Sequence, residues 1–216
     1  MTKTLALSFF FFLVAYLLGS FPTGYLLGKS LKGIDIREHG SGSTGATNVL
    51  RTMGKKAGAA VLLTDIAKGA IAVALVRLYF HFYPEVFPVS WQPWLILVTA
   101  LAAILGHSKS VWLNFTGGKS VATGIGVVLL VNPWLALGTL ATFGLTFAFS
   151  KIVSLSSISG AIAVILLAII LKQPLPYLIF ASLAGGYVII RHRSNISRIL
   201  AGEEPKVGQS LQQENS

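Results

Sequence analysis

The chain contains no cysteine and few acidic residues, and both scarcities exclude kinds of chemistry. Without cysteine it has no disulfide bond, no thiol nucleophile and no thiolate metal ligand. Only 7 residues are Asp or Glu, against 17 Lys and Arg. The aspartates, Asp35 and Asp65, are far apart in sequence and the glutamates lie in predicted loops or the tail, so we expect neither a metal site nor a cofactor.

Charged residues are scarce overall, whereas apolar residues are abundant. The 216 residues are 54% hydrophobic and 11% charged, with a mean hydropathy of +0.74. These values exclude an ordinary soluble domain and indicate an integral membrane protein. Long apolar runs separate the cations behind the net charge of +10, so we expect membrane lipids and anionic substrates as partners and no nucleic acid.

The apolar runs predict an all-α integral membrane fold with seven transmembrane helices. They cover residues 5–28, 57–80, 94–106, 119–131, 134–150 and 154–171, and a seventh run follows Pro176 and ends near Ile190. Gly19, Ser20 and Pro22 predict a kink near the inner end of the first helix. We expect one domain over residues 1–200 and a disordered polar tail over residues 201–216.

The distribution of Lys and Arg predicts the orientation of the helices. Most of the 17 cations fall in the loops after the first, third and fifth helices or in the C-terminal tail. Cytoplasmic loops carry the excess of Lys and Arg in membrane proteins, so the N-terminus is predicted outside and the C-terminus in the cytoplasm.

A glycine-rich segment, GSGSTGATNVLR from Gly40 to Arg51, follows the first helix. Gly40, Gly42 and Gly45 alternate with hydroxyl side chains, so backbone N–H groups can crowd around an anion that Arg51 neutralises. An ordinary flexible turn is the alternative. The spacing also matches a dinucleotide fingerprint, but that motif needs a preceding strand and a parallel sheet, which this apolar helical chain does not offer.

A second polar segment precedes the fourth predicted helix and contains Gly117, Gly118 and Lys119. Its Gly-Lys-Ser sequence is not a P-loop, because Leu113 stands where that motif requires glycine. The N-terminus of the following helix still favours a phosphate, with Lys119 beside it. The alternative is a turn whose lysine extends towards the membrane surface.

A third polar segment, RHRSNISR from Arg191 to Arg198, ends the last helix. If the helix continues, His192, Asn195 and Arg198 lie on one face, and the imidazole can exchange a proton near neutral pH. The alternative is a basic anchor that only sets the topology.

Two ionisable residues, Asp65 and Lys68, lie inside the second predicted helix. Such residues usually face the interior of a helix bundle and take part in function. Their spacing also allows them simply to pair with each other.

These motifs together resemble the bacterial membrane glycerol-3-phosphate acyltransferases that use acyl phosphate as donor. The resemblance runs from about Leu17 to Leu200 and is carried by GSGSTGATNVLR, by Gly106-His107, by GGKSVAT from Gly117 to Thr123, and by RHRSNISRI from Arg191 to Ile199. It implies a seven-helix, multi-pass enzyme of the bacterial inner membrane with its active site on the cytoplasmic face. The implied reaction makes 1-acyl-glycerol 3-phosphate from glycerol 3-phosphate and long-chain acyl phosphate, in the first acylation of phospholipid synthesis. Direct handover of the donor from the enzyme that makes it is left open.

The resemblance and the segments above assign candidate site residues. The expected catalytic residues are Ser41, His192 and Asn195. The expected substrate-binding residues are Gly40, Gly42, Gly45, Thr47, Asn48, Arg51, Lys68, Gly117, Gly118, Lys119 and Arg198. The chain departs from the family pattern at Ser43, where asparagine is usual, and at Thr116, where lysine is usual.

The chemistry of acyl phosphate shapes the expected mechanism. It is a mixed anhydride and already activated, so holding a hydroxyl against its carbonyl and neutralising two phosphates supplies most of the rate. We expect His192 and Asn195 to orient the glycerol hydroxyl. Either His192 or the phosphate of the donor takes the proton.

Two other classes of function fit parts of the sequence. A transporter of a phosphorylated organic anion also uses broken helices whose N-termini face a polar site, but every polar segment here lies on one predicted face, with no inverted repeat. A structural lipid-binding protein would need neither the glycine loop nor the His/Asn pair. No histidine begins a His-x-x-x-x-Asp motif, which excludes the mechanism of the soluble-type glycerolipid acyltransferases.

Overall fold

The fold is a bundle of helices, known from a computed structural model that describes residues 2–208. Within this range ten α-helices occur. They are α1 Thr2–Ser20, α2 Thr23–Lys32, α3 Ala46–Met53, α4 Lys55–Phe82, α5 Gln92–Ser108, α6 Val121–Val131, α7 Pro133–Ser150, α8 Val153–Ile170, α9 Leu175–Arg191 and α10 Arg193–Leu200.

Five helical stretches in residues 2–208 are long and apolar enough to cross a bilayer. They are Leu5–Lys32 (α1 with α2), α4, Val89–Ser108 (α5 with the turn before it), α7 and α8. Helices α9 and α10 make a sixth if they count as one span across their bend of 58°. The protein is therefore an all-helical, multi-pass membrane protein, while seven complete spans and the membrane side of each terminus stay predictions.

The fourth predicted span corresponds to α6, which is short. It has 11 residues and so is about 16 Å long, roughly half the thickness of a ~30 Å hydrocarbon core. The preceding segment 109–120 folds back into the bundle, where the Ser120 hydroxyl donates to the carbonyl of Ile104 inside α5 (2.8 Å). Helix α6 begins at Val121 rather than Lys119 because this polar segment fills the first part of its path.

The first spanning stretch is broken at the predicted place. Helix α1 ends at Ser20 and α2 begins at Thr23, because Pro22 has no N–H with which to continue the hydrogen-bond ladder. The carbonyl oxygens freed at the break find new donors: that of Ser20 accepts from the Ser110 hydroxyl, and that of Phe21 accepts from the Lys68 ammonium group. The predicted kink is thus confirmed and tied to neighbouring elements.

Glycines allow two pairs of helices to approach closely. A Cβ atom at Gly19 of α1 would lie 2.2 Å from the carbonyl oxygen of Ala103 in α5. A Cβ atom at Gly126 of α6 would lie 1.9 Å from the carbonyl oxygen of Ile66 in α4. Helices α4 and α5 therefore each pack backbone to backbone against a partner, and α4 and α5 also contact each other.

The ends of the bundle differ in polarity. At one end the segment 109–120 meets the end of α9, where Arg191 donates to the carbonyl of Gly118 (3.1 Å), and α3 meets the residues that follow α10, where Arg51 donates to the carbonyl of Pro205 (3.2 Å). We call this the polar end. At the other end, the ring of Phe11 in α1 packs against Tyr79 near the end of α4. Helix α1 therefore begins far from the polar end, where the described chain finishes.

The C-terminal residues depart from the expected disordered tail. Glu204 is buried, and the Val207 N–H donates to the carbonyl of Lys151 (2.9 Å). Residues 203–207 are therefore held against the bundle by hydrogen bonds that hydropathy cannot reveal. Residues 209–216 of the expected tail lie outside the described residues.

Candidate active site

The glycine-rich segment wraps around the side chain of Asn48. Its amide nitrogen lies within hydrogen-bond distance of the carbonyls of Ile36, His39 and Ser43 (2.9–3.1 Å), and its amide oxygen accepts from the Ser41 N–H (2.9 Å). Asn48 is 1% exposed, so these loop carbonyls have no water to replace it. Asn48 was expected to bind substrate; its amide is occupied by the loop, and it shapes the site by fixing the loop that lines the cleft.

The glycines of this segment allow the loop to adopt its backbone conformation, and two of them use their N–H groups within the loop. Gly40 and Gly42 have φ angles of 59° and 67°, which favour glycine. The N–H of Gly42 donates to His39, and that of Gly45 donates to the Ser43 hydroxyl. The N–H groups of Gly42 and Gly45, two of the three in the expected cradle, are therefore bonded within the loop. What the loop offers instead is the first turn of α3, where helix geometry leaves N–H groups without intrahelical partners.

The second glycine pair also bonds within the protein. The Gly118 N–H donates to the carbonyl of His107 (3.1 Å), and the carbonyls of both Gly117 and Gly118 accept from Arg191. A Cβ atom at Gly118 would lie 2.1 Å from the His107 ring. The pair thus anchors the loop while Lys119 extends away from it. Thr116, the departure from the family pattern, closes a tight turn by donating to Leu113 (2.6 Å).

The histidine of the third segment stands where the last helix bends. Helix α9 ends at Arg191 and α10 leaves at 58°, so His192 is a junction residue and not part of one continuous face. Its Nδ1 lies 2.7 Å from the carbonyl oxygen of Val188. A carbonyl only accepts, so Nδ1 carries the hydrogen and the neutral ring keeps Nε2 as an acceptor. That tautomer suits a base or an acceptor for a substrate hydroxyl.

A cation, an amide and a carboxylate meet beside His192. The Lys119 ammonium group donates to Asn195 Oδ1, and Asn195 Nδ2 donates to Glu204 Oε1 (2.6 Å). Burial lowers the pKa of Lys119 to about 8, although the nearby charge of Glu204 opposes this effect. Lys119 therefore loses its charge just above neutral pH.

These groups line one cleft at the polar end, with a volume of about 290 Å³. Its walls hold most of the expected site residues. From the candidates, the cleft is lined by Ser41, Gly45, Thr47, Asn48, Arg51, Lys119, His192 and Asn195. Ser43 also lines it, so the departure from the family asparagine lies within the site. The structure therefore gathers residues from three distant motifs around a single space.

Five candidates lie outside this cleft, in addition to the bonded Gly118. They are Gly40, Gly42, Gly117, Lys68 and Arg198. The Lys68 ammonium group donates to Asp65 (2.7 Å), the pairing that the spacing allowed, and to the Phe21 carbonyl (2.5 Å), so contact of Lys68 with substrate stays a prediction. Asp65 and His107 do line the cleft, with 3.5 Å between a carboxylate oxygen and Nδ1. Lys68 thus neutralises Asp65 instead of facing the space.

Sequence reasoning missed Glu204 and two serines of α8. Glu204 accepts from Ser154 (2.7 Å), and Ser154 and Ser157 both line the cleft. Glu204 sits in a segment whose polarity suggested a tail, and the serines lie in an apolar helix without a motif. The scarcity of acidic residues is the one sequence signal that could have drawn attention to Glu204.

An apolar groove continues from the cleft into the bundle. The two share Ser120, Val121, Ile125, Phe143 and Ser157, and the groove runs on between α6, α7, α8 and α9. Its inner lining includes Val128, Val164, Phe180 and Gly124. A polar cleft with basic groups that opens into an apolar groove matches the shape of an amphiphile with an anionic head.

The fold and the site thus define a multi-pass membrane protein with a basic cleft that opens into an apolar groove. The family model described as glycerol-3-phosphate acyltransferase matches residues 9–202. The chain belongs to the glycerol-3-phosphate acyltransferase family.

Relatives and solved structures agree with this assignment. The glycerol-3-phosphate acyltransferase of Rippkaea orientalis is 60% identical over 210 residues, covering 97% of each chain. That of Synechocystis sp. is 59% identical over 212 residues, covering 98% of this chain and 96% of the relative. The crystal structure of PlsY, an integral membrane glycerol 3-phosphate acyltransferase, in its glycerol 3-phosphate form has a TM-score of 0.83 at 38% identity and covers 93% of this chain and 96% of that chain. Its lysophosphatidic acid form has a TM-score of 0.80.

Proposed function

We propose that the protein transfers a fatty acyl group from acyl phosphate to the 1-hydroxyl of glycerol 3-phosphate, giving 1-acyl-glycerol 3-phosphate and inorganic phosphate. The family supports the acceptor and the product, since its solved member binds glycerol 3-phosphate and lysophosphatidic acid. The observation that supports acyl phosphate as the donor is the shape of the cleft. It holds Arg51, Lys119 and His192 at the mouth of an apolar groove.

The candidate Ser41 is not set up as a covalent nucleophile, which favours direct transfer from an activated donor. The chain has no cysteine, and Ser41 has no described hydrogen bond from its hydroxyl to a base. Direct attack of the glycerol hydroxyl on a mixed anhydride needs no acyl-enzyme, because phosphate is already a good leaving group. Placement of the two substrates then accounts for most of the rate.

The transfer step involves one new bond and one broken bond. The 1-hydroxyl oxygen of glycerol 3-phosphate attacks the acyl carbon, and the bond from that carbon to the phosphate oxygen breaks. The hydroxyl proton passes to Nε2 of His192 or to the leaving phosphate. Arg51 and Lys119 offset the repulsion between the two phosphate groups, and the acyl chain lies in the groove.

Phosphate release from purified protein tests this proposal. Wild-type protein with glycerol 3-phosphate is expected to release phosphate and form 1-acyl-glycerol 3-phosphate with palmitoyl phosphate, and to form no product with acyl-CoA or acyl-carrier protein. If only a thioester donor gave product, acyl phosphate would be refuted as the donor. Activity with none of the three would reinstate transport of a phosphorylated anion.

The role of His192 is tested separately from the donor. A His192→Ala enzyme is expected to lose most of its turnover, since removing a positioned acid–base group typically costs ~10²–10⁴-fold. Turnover near the wild-type value would remove His192 from both proton transfer and orientation of the hydroxyl.

A further inference from the structure

Glu204 is held in the wall of the cleft from three directions. Its Oε1 accepts from Ser154 of α8 (2.7 Å) and from Asn195 of α10 (2.6 Å), and its Oε2 accepts from Arg198 of α10 (2.7 Å). The side chain is 2% exposed. Three donors, one of them a charged guanidinium group, stabilise the ionised form of a carboxylate that has little access to water.

The backbone around Glu204 is anchored as well. The Glu203 N–H donates to the carbonyl of Arg198 (2.8 Å), the Pro205 carbonyl accepts from Arg51 (3.2 Å), and the Val207 N–H donates to Lys151 (2.9 Å). The segment 203–207 therefore ties together α3, α10 and the connection between α7 and α8. These elements supply different walls of the same cleft.

The charge of Glu204 reaches the cations of the cleft. Burial alone would raise the pKa of Glu204, but hydrogen bonds from Ser154, Asn195 and Arg198 outweigh burial and hold that pKa below its ordinary value. The carboxylate in turn opposes the loss of charge on both Lys119 and Arg51. It is thus an ionised partner to the cations on which substrate binding depends.

Glu204 also determines which way the Asn195 amide points. A carboxylate can only accept hydrogen bonds and a lysine ammonium can only donate them. Asn195 lies between the two, so its Nδ2 must face Glu204 and its Oδ1 must face Lys119. Without the carboxylate, Asn195 Nδ2 would lose its acceptor and only the bond from Lys119 would orient the amide.

We propose that Glu204 is a positioning residue of the acyl-transfer site that orients Asn195 and Arg198, and that the backbone of the segment 203–207 holds Glu204 in place. The inference rests on the proposed function of the cleft. Glu204 acts through its neighbours and need not touch either substrate.

Steady-state kinetics over a range of pH test this proposal, with Glu204→Gln as the main variant. The substitution preserves size but removes the charge, so KM for glycerol 3-phosphate is expected to rise by about tenfold, equivalent to the loss of one charge-assisted hydrogen bond. The alkaline limb of activity, assigned to Lys119, is expected to move to lower pH by about 1 unit, because an opposite charge near the lysine is gone. A role in stability alone would lower the melting temperature without moving this limb.

Two further substitutions test whether the effect depends on the charge of residue 204, on the length of its side chain, or only on the net charge of the protein. Glu204→Asp keeps the charge on a shorter side chain, so its alkaline limb is expected to stay near that of the wild type even if the rate falls. Glu203→Gln makes the same change in net charge at a neighbouring exposed residue and is expected to leave KM and the pH profile unchanged. An unchanged KM and profile in Glu204→Gln, or an equal shift in Glu203→Gln, would overturn the proposal.

Truncation tests the segment as a whole. A chain ending at residue 208 keeps every contact described above and is expected to match the wild type, whereas a chain ending at residue 202 is expected to lose activity while eluting as the same species in detergent. Full activity of the shorter chain would overturn the proposal. If the shorter chain fails to fold, the proposal is tested by the KM and the pH profile of Glu204→Gln. An inactive wild type in the same assay would instead count against the proposed function.

Discussion

At the scale of single residues, the cleft depends on side chains whose charge is altered by burial. Lys119 is the clearest case, because burial brings its pKa to about 8 from 10.5. An amine is charged below its pKa and neutral above it, so Lys119 passes from mainly charged to mainly neutral between pH 7 and pH 9. Glycerol 3-phosphate and acyl phosphate keep their negative charges throughout this range.

Binding of the phosphate substrates is therefore expected to weaken between pH 7 and pH 9. KM should rise over this interval, with little change in the wild type below pH 7. Lys119→Arg should flatten this rise, because a guanidinium group stays charged at pH 9. Parallel KM curves for the two proteins would show that another group controls the alkaline limb.

Gly124 provides a residue-scale test of the acyl groove. It lines the groove, and a Cβ atom there would meet no atom within 4 Å. A Gly124→Leu side chain is expected to fill the groove and to reduce activity with palmitoyl phosphate about tenfold relative to decanoyl phosphate, since each CH₂ excluded from the groove forfeits ~0.8 kcal/mol.

A matched substitution controls for the size of the new side chain. Gly186 of α9 also has open space around a built Cβ atom but does not line the groove. Gly186→Leu is expected to leave the ratio of the two activities unchanged. The same ratio in Gly124→Leu as in the wild type would place the acyl chain elsewhere.

At the scale of helices, α6 is positioned by contact with the backbone of α4. A Cβ atom at Gly126 would lie 1.9 Å from the Ile66 carbonyl, and one at Gly69 would lie 2.0 Å from the Thr123 carbonyl. Two reciprocal contacts of this kind hold the short helix at one height beside α4. That height sets where the loop carrying Lys119 meets the cleft.

Gly126→Ala is therefore expected to destabilise the protein strongly, whereas Gly124→Ala on the same helix should be tolerated. The first places a methyl group against a backbone carbonyl, which costs roughly 1–3 kcal/mol or more. The second meets open space and gains up to ~1 kcal/mol of helix propensity. Thermal unfolding in detergent compares them, and equal melting temperatures would mean that α4 and α6 are not packed this closely.

Helix α10 shows why the sequence could predict elements better than their joints. Spacing alone suggested one continuous face from His192 to Arg198, but the chain bends at His192. Beside the bend, Arg191 donates to the carbonyl of Gly118 and Glu204 accepts from Ser154, and no periodicity records contacts between such distant segments.

At the scale of the whole molecule, the orientation of the bundle in the membrane is open to a direct test. The positive charges of the polar end predict that this end faces the cytoplasm. Because the chain has no cysteine, single cysteines can report on each side without background. Glu85 lies in the loop after α4, Lys56 lies at the opposite end of that helix, and both side chains are exposed. We therefore choose the substitutions Glu85→Cys and Lys56→Cys.

A membrane-impermeant maleimide added to intact cells is expected to label Glu85→Cys and to leave Lys56→Cys unlabelled. Permeabilised cells should show labelling of both. The reverse pattern on intact cells would invert the topology and place the cleft outside. Equal labelling of both sites in intact cells would indicate mixed orientation.

The sequence by itself determined the membrane class, the order of the helices, the break after Ser20 and the three polar motifs. Hydropathy, missing N–H groups and motif residues are local properties, and each can be read within a few dozen positions. Only the tertiary structure decided that Asn48 is used by its own loop, that Lys68 turns away from the cleft, and that Glu204 enters it. These outcomes depend on which donors and acceptors come together once the helices pack, and polar groups without water must take the partners that packing brings within reach.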